Sequence, residues 1–428
     1  MRGSISLAVL LALLLTSSMS FAAGFRLPEA GVKAMGMGFA FTAQANDPSA
    51  IYFNPAGLTQ LEGNNLMLGV TYAWSDGMEF TGSTPLTLGA TVSETQKSLS
   101  FYIPNGYYAY SNKSRGIAYG VGVFSPFGLG QEYQNRDTSI FRNQTTKIEL
   151  TTIVINPTIA YDFNEYLSIG AGIDYMWGKV KYQKTPVVPA GAPFGGPGQF
   201  YTDLEGSGDA WGYNFGILLK PTKNVKVGFN YRSRFNPDVK NGDFTASNLV
   251  GTANPLIFPM GTTRASGTLN LPATAAFGVA YIYERFTIEA DLDWTFWSSY
   301  QELKITNATV PTYSSTQPKN WKDVCAYRMG LEYRMTDPLA LRVGFVYDPT
   351  PTPASTLGPE LPDSTRLNYT LGVGYKVGKI TINVAGMYID KKDRTVSNIR
   401  LEDGNPVGQN GTWAGDSWLA GLDVGYKF

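Results

Sequence analysis

The chain has 428 residues, 34 basic and 34 acidic, with no histidine and a single cysteine, Cys325. Without histidine, Ser-His-Asp and Cys-His catalysis and His-ligated metal sites are excluded, and one cysteine excludes intramolecular disulfides and all-cysteine zinc sites. A formal charge of zero leaves no electrostatic footprint for nucleic acid.

From Arg2 an uncharged stretch runs to Phe25 around the apolar core Leu7–Leu15, too short to cross a bilayer as a helix. Ser20-Phe21-Ala22 sets small residues where a signal peptidase needs them, so residues 1–22 are predicted as a signal peptide cleaved after Ala22; a retained anchor is the alternative. Residues 23–61 do not alternate. They are rich in small side chains (Gly31, Gly36, Gly38, Ala40, Ala43, Ala45) and end in the turn formers Asn46-Asp47-Pro48-Ser49 and Asn54-Pro55-Ala56-Gly57. About 40 residues are too few for an independent core, so this segment is expected as a plug packed within the rest of the chain; a mobile tail is the other reading.

Residues 62–428 follow one pattern, apolar and polar side chains in strict alternation, the period of a β-strand. Trp211, Tyr213, Phe215, Ile217 and Leu219 form one apolar face, and Phe286, Ile288, Ala290, Leu292 and Trp294 another. A soluble sandwich alternates too. Three features favour a membrane barrel: long strands, aromatic pairs near strand ends (Tyr72, Trp74; Tyr175, Trp177; Tyr281, Tyr283), and connections that alternate between short and long. Fourteen strands are predicted, near 66–75, 98–110, 116–125, 145–163, 166–182, 208–220, 224–235, 262–283, 285–300, 319–335, 339–349, 365–377, 379–390 and 413–428. In hydrocarbon every backbone polar group must be paired, which a closed barrel achieves. The expected fold is all-β, a 14-stranded antiparallel transmembrane β-barrel with the N-terminal plug in its lumen.

Along the chain, Asn54-Pro55-Ala56, Ser125-Pro126-Phe127-Gly128-Leu129, Tyr231-Arg232-Ser233, Trp294-Thr295-Phe296-Trp297-Ser298, Ala326-Tyr327-Arg328 and Leu361-Pro362-Asp363-Ser364-Thr365-Arg366 occur in order. In these the chain resembles the FadL-type outer-membrane transporters of long-chain fatty acids and other hydrophobic compounds, over nearly all of its length. The resemblance implies a barrel in the bacterial outer membrane closed by an N-terminal hatch, here Gly24, Phe25, Asn54, Pro55 and Ala56. It implies no enzyme activity and no cofactor. Substrate would land on extracellular loops, move to a pocket beside the hatch and leave sideways where the third strand kinks.

Carried onto this sequence, the landing loops hold Phe194 in one and Leu256, Ile257 and Phe258 in the other, either as a binding surface or as loop-on-loop packing. The kink falls on Ser125, Pro126, Phe127 and Gly128, where proline lacks a ladder donor; a plain strand end is the competing reading. Lys184 and Lys319 lie nearest the cations that hold a fatty-acid carboxylate in this family, with Lys179 and Lys181 as neighbours, and each is alternatively a solvated loop charge. Alternation turns Glu289, Asp291 and Asp293 inward, with Arg328, Glu332 and Arg334 facing them, as a salt-bridge ladder that seats the hatch or as a solute path. Asp293 and Arg328 are the expected pair.

The function expected is passive uptake of a hydrophobic small molecule, long-chain fatty acids first, with aromatic or aliphatic hydrocarbons and a general porin as alternatives. The partners expected are outer-membrane lipid and lipopolysaccharide, and the barrel-assembly machinery through the C-terminal strand ending on Phe428, the barrel standing as a monomer without nucleic acid or metal.

Overall fold

The computed structural model describes residues 24–191, 194–402 and 405–428; the expected signal peptide lies outside them. Fourteen wall strands run in chain order: β1 Gly63–Ser75, β2 Leu99–Asn112, β3 Ile117–Phe124, β4 Lys147–Asp162, β5 Leu167–Lys184, β6 Gly195–Leu219, β7 Val225–Arg232, β8 Thr274–Tyr283, β9 Phe286–Thr295, β10 Val324–Arg334, β11 Leu339–Asp348, β12 Arg366–Val377, β13 Ile380–Lys391 and β14 Ser417–Lys427. Each pairs antiparallel with the next. The barrel closes where β14 pairs with β1, from Asn65 opposite Lys427 to Trp74 opposite Trp418.

The faces are inverted relative to a soluble sheet. On β11, Leu341, Val343, Phe345 and Tyr347 point outward and are exposed, while Arg342, Val346 and Asp348 are buried inside. On β8 the outward row is Phe277, Val279, Tyr281 and Tyr283, and the inward row is small (Ala276, Gly278, Ala280). An outer apolar surface over a polar lumen is what lipid on one side and protein on the other require. Ring pairs such as Tyr72–Trp74 (5.5 Å), Trp74–Trp418 (6.3 Å) and Tyr281–Tyr283 (6.5 Å) mark the strand ends.

Several expected boundaries move. The single strand expected at 262–283 divides at Leu269–Pro272 into Gly261–Thr268 and β8, because Pro272 cannot donate to a ladder. β6 begins at Gly195 rather than 208 and is 25 residues long. Its first half rises out of the wall and pairs with Asp238–Ala253, so two expected loops are strands of one tall extension. At the same long-loop end, Glu79–Ser83, Val92–Thr95, Arg394–Ser397 and Asn410–Ala414 form a separate four-stranded sheet. It packs over a second apolar core in which the Phe80 ring lies 5.1 Å from Phe141 and 5.0 Å from Trp413.

Residues 24–61 lie inside the barrel, and all are buried except Lys33, Asn46, Asp47 and Gln60. Two one-turn helices, α1 (Val32–Gly36) and α2 (Ala50–Phe53), and a 3-10 turn (Pro55–Gln60) carry the chain. Wall glycines let this segment approach. A Cβ on Gly170 of β5 would lie 2.5 Å from the Pro55 carbonyl carbon, and one on Gly228 of β7 2.2 Å from the Thr42 oxygen. Of the small residues that set this segment apart in the sequence, Gly36 and Gly38 meet the wall at Gly372 and Phe345, whereas Gly31 packs within the segment on Ser49 and Gly57 on Ala45.

Candidate functional site

Burying a backbone N–H without a partner costs roughly 1–3 kcal/mol, and residues 41–44 bring four consecutive donors to the wall of β9. Asp291 Oδ2 accepts from the Phe41 and Thr42 N–H groups, at 3.0 Å each, and the Glu289 carboxylate accepts from Ala43 (2.6 Å) and Gln44 (2.9 Å). Asp293, next on the same face, holds two cations: Arg26 Nη1 at 2.8 Å and Arg328 Nη2 at 2.6 Å. The expected ladder is therefore corrected in part. Arg328 does meet Asp293, reaching diagonally, since its register partner is Asp291. Glu289 and Asp291 hold peptide donors rather than side-chain cations; Glu332 turns to Arg342 at 2.6 Å, and Arg334 is exposed at the short-turn end. Two strands along the wall from β9, Arg232 of β7 pairs with Asp174 of β5 and donates to the Ile51 carbonyl at 3.3 Å.

Asn54 ties the segment to β6, its amide donating to the Thr42 carbonyl at 2.8 Å and the Ile217 carbonyl at 3.0 Å, while its Oδ1 accepts from Ala56. Gly24 has φ +71°, and a Cβ there would fall 2.6 Å from the Trp297 ring. That absence of a side chain lets Phe25 enter an aromatic nest, 4.6 Å from Trp297, 5.5 Å from Tyr300, 5.4 Å from Trp321 and 6.3 Å from Phe127.

The third strand breaks at Ser125–Phe127 and resumes as Gly128–Glu132. Against β4 it gains one residue, a bulge between Phe124 opposite Val154 and Gly128 opposite Thr151. Against β2 the pairing stops at Gly106 opposite Val123 and returns, with unshifted register, at Gln96 opposite Tyr133. Among the described residues no backbone pairing joins Leu99–Asn105 to Phe124–Gln131, so the wall has a window here. The Lys97–Glu132 ion pair bounds it toward the long-loop end. Inside the window, Phe127 is held by Thr152, whose Oγ1 donates to its carbonyl (2.6 Å) and accepts from its N–H (3.2 Å). Residues 25–27 complete the kink: Leu27 N–H donates to the Pro126 carbonyl and Gly128 N–H to that of Phe25. Asn105 and Gln131 stand at the two ends of the window, both buried and with no hydrogen-bond partner for either side-chain polar atom.

Lys319 is buried beside the aromatic nest, 2.5 Å from Glu360 Oε1, and donates to Gln317 Oε1 at 3.2 Å. Gln317 Nε2 in turn donates to Tyr182 Oη (3.3 Å), and the Lys184 ammonium lies 4.9 Å over the Tyr182 ring. Burial opposes ionisation of Glu360, yet Lys319, by charge and hydrogen bond, and Lys184, by charge, leave its carboxyl below the usual value. Lys184 and Lys319 thus share one region. Lys179 and Lys181 do not; both turn to Glu205.

In the loops Phe194 lies 6.0 Å from Phe258, which lies 5.3 Å from Phe200, and the series continues to Tyr313 and Phe244. Phe258 is buried in that packing and Ile257 half-buried, whereas Leu256 is 89 % exposed. Ile257 and Phe258 thus pack loop on loop, whereas Leu256 and Phe194 are exposed. A polar cleft between Asp238, Lys240, Glu302 and Lys304 opens elsewhere on the loops, and its mixed charge suits no apolar solute.

Glu360, Thr152 and Gln131 are absent from the sequence reading. Glu360 adjoins the Leu361–Arg366 motif but carries no signal of its own, and Thr152 lies on an ordinary alternating strand.

The family described as outer membrane protein transport protein (OMPP1/FadL/TodX) matches residues 13–428. The long-chain fatty acid transport protein of Escherichia coli O6:H1 is 26 % identical over 451 residues, covering 98 % of each chain. That of Salmonella typhi is 26 % identical over 444 residues, with the same coverage. Among solved structures, a Pseudomonas aeruginosa FadL homologue superposes with a TM-score of 0.84 at 20 % identity, over 95 % of this chain and 100 % of the other. The Ralstonia pickettii toluene transporter TbuX gives 0.66 at 18 %, over 93 % and 98 %.

Proposed function

The chain belongs to the OMPP1/FadL/TodX family of outer-membrane transporters of hydrophobic compounds, and on that premise we propose that its cargo is a long-chain fatty acid taken up passively. The observation that carries this reading is a buried ammonium, Lys319, beside an aromatic wall that continues to the window between β2 and β3. An alkyl chain suits the rings, and a carboxylate taken from water needs a paired charge. Cargo lands on the exposed apolar loop residues Leu256 and Phe194, passes to the nest around Phe25 and Trp297, and leaves through the window into the outer leaflet, avoiding the lipopolysaccharide layer. Residues 24–61 act as the hatch that denies this lumen to polar solutes. The mature chain begins at Ala23, inserts as a monomer, and offers its last strand, ending on Phe428, to the assembly machinery.

Replacing Lys184 and Lys319 with alanine tests the cargo. Binding of a fatty acid falls while binding of the matching alcohol holds; equal loss of both contradicts charge recognition. A second reading, uptake of uncharged hydrocarbons, is favoured by one observation: Lys319 already has a counter-ion in Glu360.

A further inference from the structure

Lys319 and Glu360 are 5 % and 14 % exposed in their side chains and 2.5 Å apart, so the cation suited to a ligand carboxylate already carries one. The loop bearing Glu360 is held by its backbone rather than by that side chain. Tyr133 Oη donates to the Pro359 carbonyl at 3.0 Å, and Leu361 N–H donates to the Gly358 carbonyl at 3.3 Å. The carboxylate folds back over Gly358, where a Cβ would fall 2.0 Å from Glu360 Oε2. Lys184 stands close enough for its charge to act on the same carboxylate.

We propose that Glu360 is the resident counter-ion of the headgroup site, and that an acid binds by taking its place on Lys319. This rests on the reading that hydrophobic ligands bind beside Lys319. A neutral alcohol or hydrocarbon meets a pair already balanced and leaves it intact. An acid must displace Glu360, which swings toward Lys184 while the loop backbone stays on Tyr133. Glu360 thereby sets how strongly the site prefers acids over neutral cargo, and keeps the lysine compensated while no ligand is bound.

The test is equilibrium binding of myristate and of myristyl alcohol to the full chain in lipid nanodiscs. E360Q removes a competing charge-assisted hydrogen bond, so myristate affinity rises by roughly ten- to a hundredfold, and alcohol affinity stays within about twofold of wild type, below the tenfold that one such term represents. Because E360Q strands a buried lysine, a double variant, K319M with E360L, replaces the pair by apolar groups. It loses most of the wild type's preference for the acid over the alcohol. Unchanged myristate affinity in E360Q, with normal alcohol binding, overturns the proposal. So does a wild-type acid preference in K319M/E360L, which also decides the matter if E360Q does not fold. If wild type binds neither ligand, the fatty-acid reading itself fails, and this inference with it.

Discussion

The backbone N–H of Leu27 donates to the carbonyl of Pro126 at 2.8 Å, across ninety-nine positions of sequence. Pairing of β3 with β2 stops at Val123, three residues before Pro126, so the inner segment supplies a hydrogen bond where the neighbouring wall strand does not. The window and the hatch are one hydrogen-bonded structure, and a disturbance of either is felt by the other.

Deleting residues 24–61 therefore has two effects. Single-channel conductance in planar bilayers rises from nearly closed to that of an open pore, and the freed Pro126 and Phe25 partners loosen the kink. Unchanged conductance would show that the lumen is blocked by something else.

The register across the window resumes unshifted, so restoring ordinary strand residues should zip it. Pro126→Val with Gly128→Val regains a ladder donor and removes the small residue beside the bulge. Fatty-acid uptake by cells expressing this variant is expected to fall at least tenfold, the loss of a binding step of about 1.4 kcal/mol, with heat-modifiable migration of the folded barrel unchanged. Full uptake argues for another exit.

Asp293 bridges Arg26 and Arg328. Asp293→Asn leaves two buried guanidinium groups facing each other, a cost of about 3–5 kcal/mol. The expected readout is faster amide exchange in residues 25–30 while wall strands stay protected. Glu289→Gln is milder, because a carboxamide oxygen still accepts a peptide N–H. Equal effects from both would assign the seating to hydrogen bonds alone.

Glu29 is buried within the N-terminal segment. Burial pushes its carboxyl up to about 8, against its own backbone N–H and the more distant charges of Arg328, Arg366 and Arg26. A folded value above the unfolded one means that the seated hatch binds the extra proton. Its contribution to seating is full below pH 4.5, declines as pH rises from there, and is lost above about 8. Hatch protection by amide exchange, corrected for intrinsic rates, should fall across that range in wild type and stay level in Glu29→Gln.

Alternation made the wall legible, because the period of a strand reports directly which face meets lipid; Phe277, Val279 and Tyr281 are exposed as their spacing requires. It reports faces and not partners. Glu289, Asp291 and Asp293 were visible as an inward row, but whether each met a guanidinium or a peptide N–H depended on a segment 245 to 267 positions away. The tall extension of Gly195–Ser207 with Asp238–Ala253 escaped for another reason: its apolar side chains, Phe200, Leu204, Phe244 and Ala246, are too few among glycines and polar residues to declare a strand. Glu360 lay beyond reach because an ion pair spanning 41 positions leaves no periodic trace.

One contact of the hatch bears on the order of events during biogenesis. Val32 N–H donates to Asp423 Oδ2 of β14 at 3.0 Å, while Tyr107 of β2 donates to the neighbouring Ala30 carbonyl at 2.6 Å. These partners stand on opposite sides of the seam where β1 meets β14. The earliest stretch to be synthesised thus waits, with donors uncompensated, for the very last strand to arrive. Any delay in completing the ring exposes that stretch, so the rate of seam closure decides how long the nascent barrel is open to proteases.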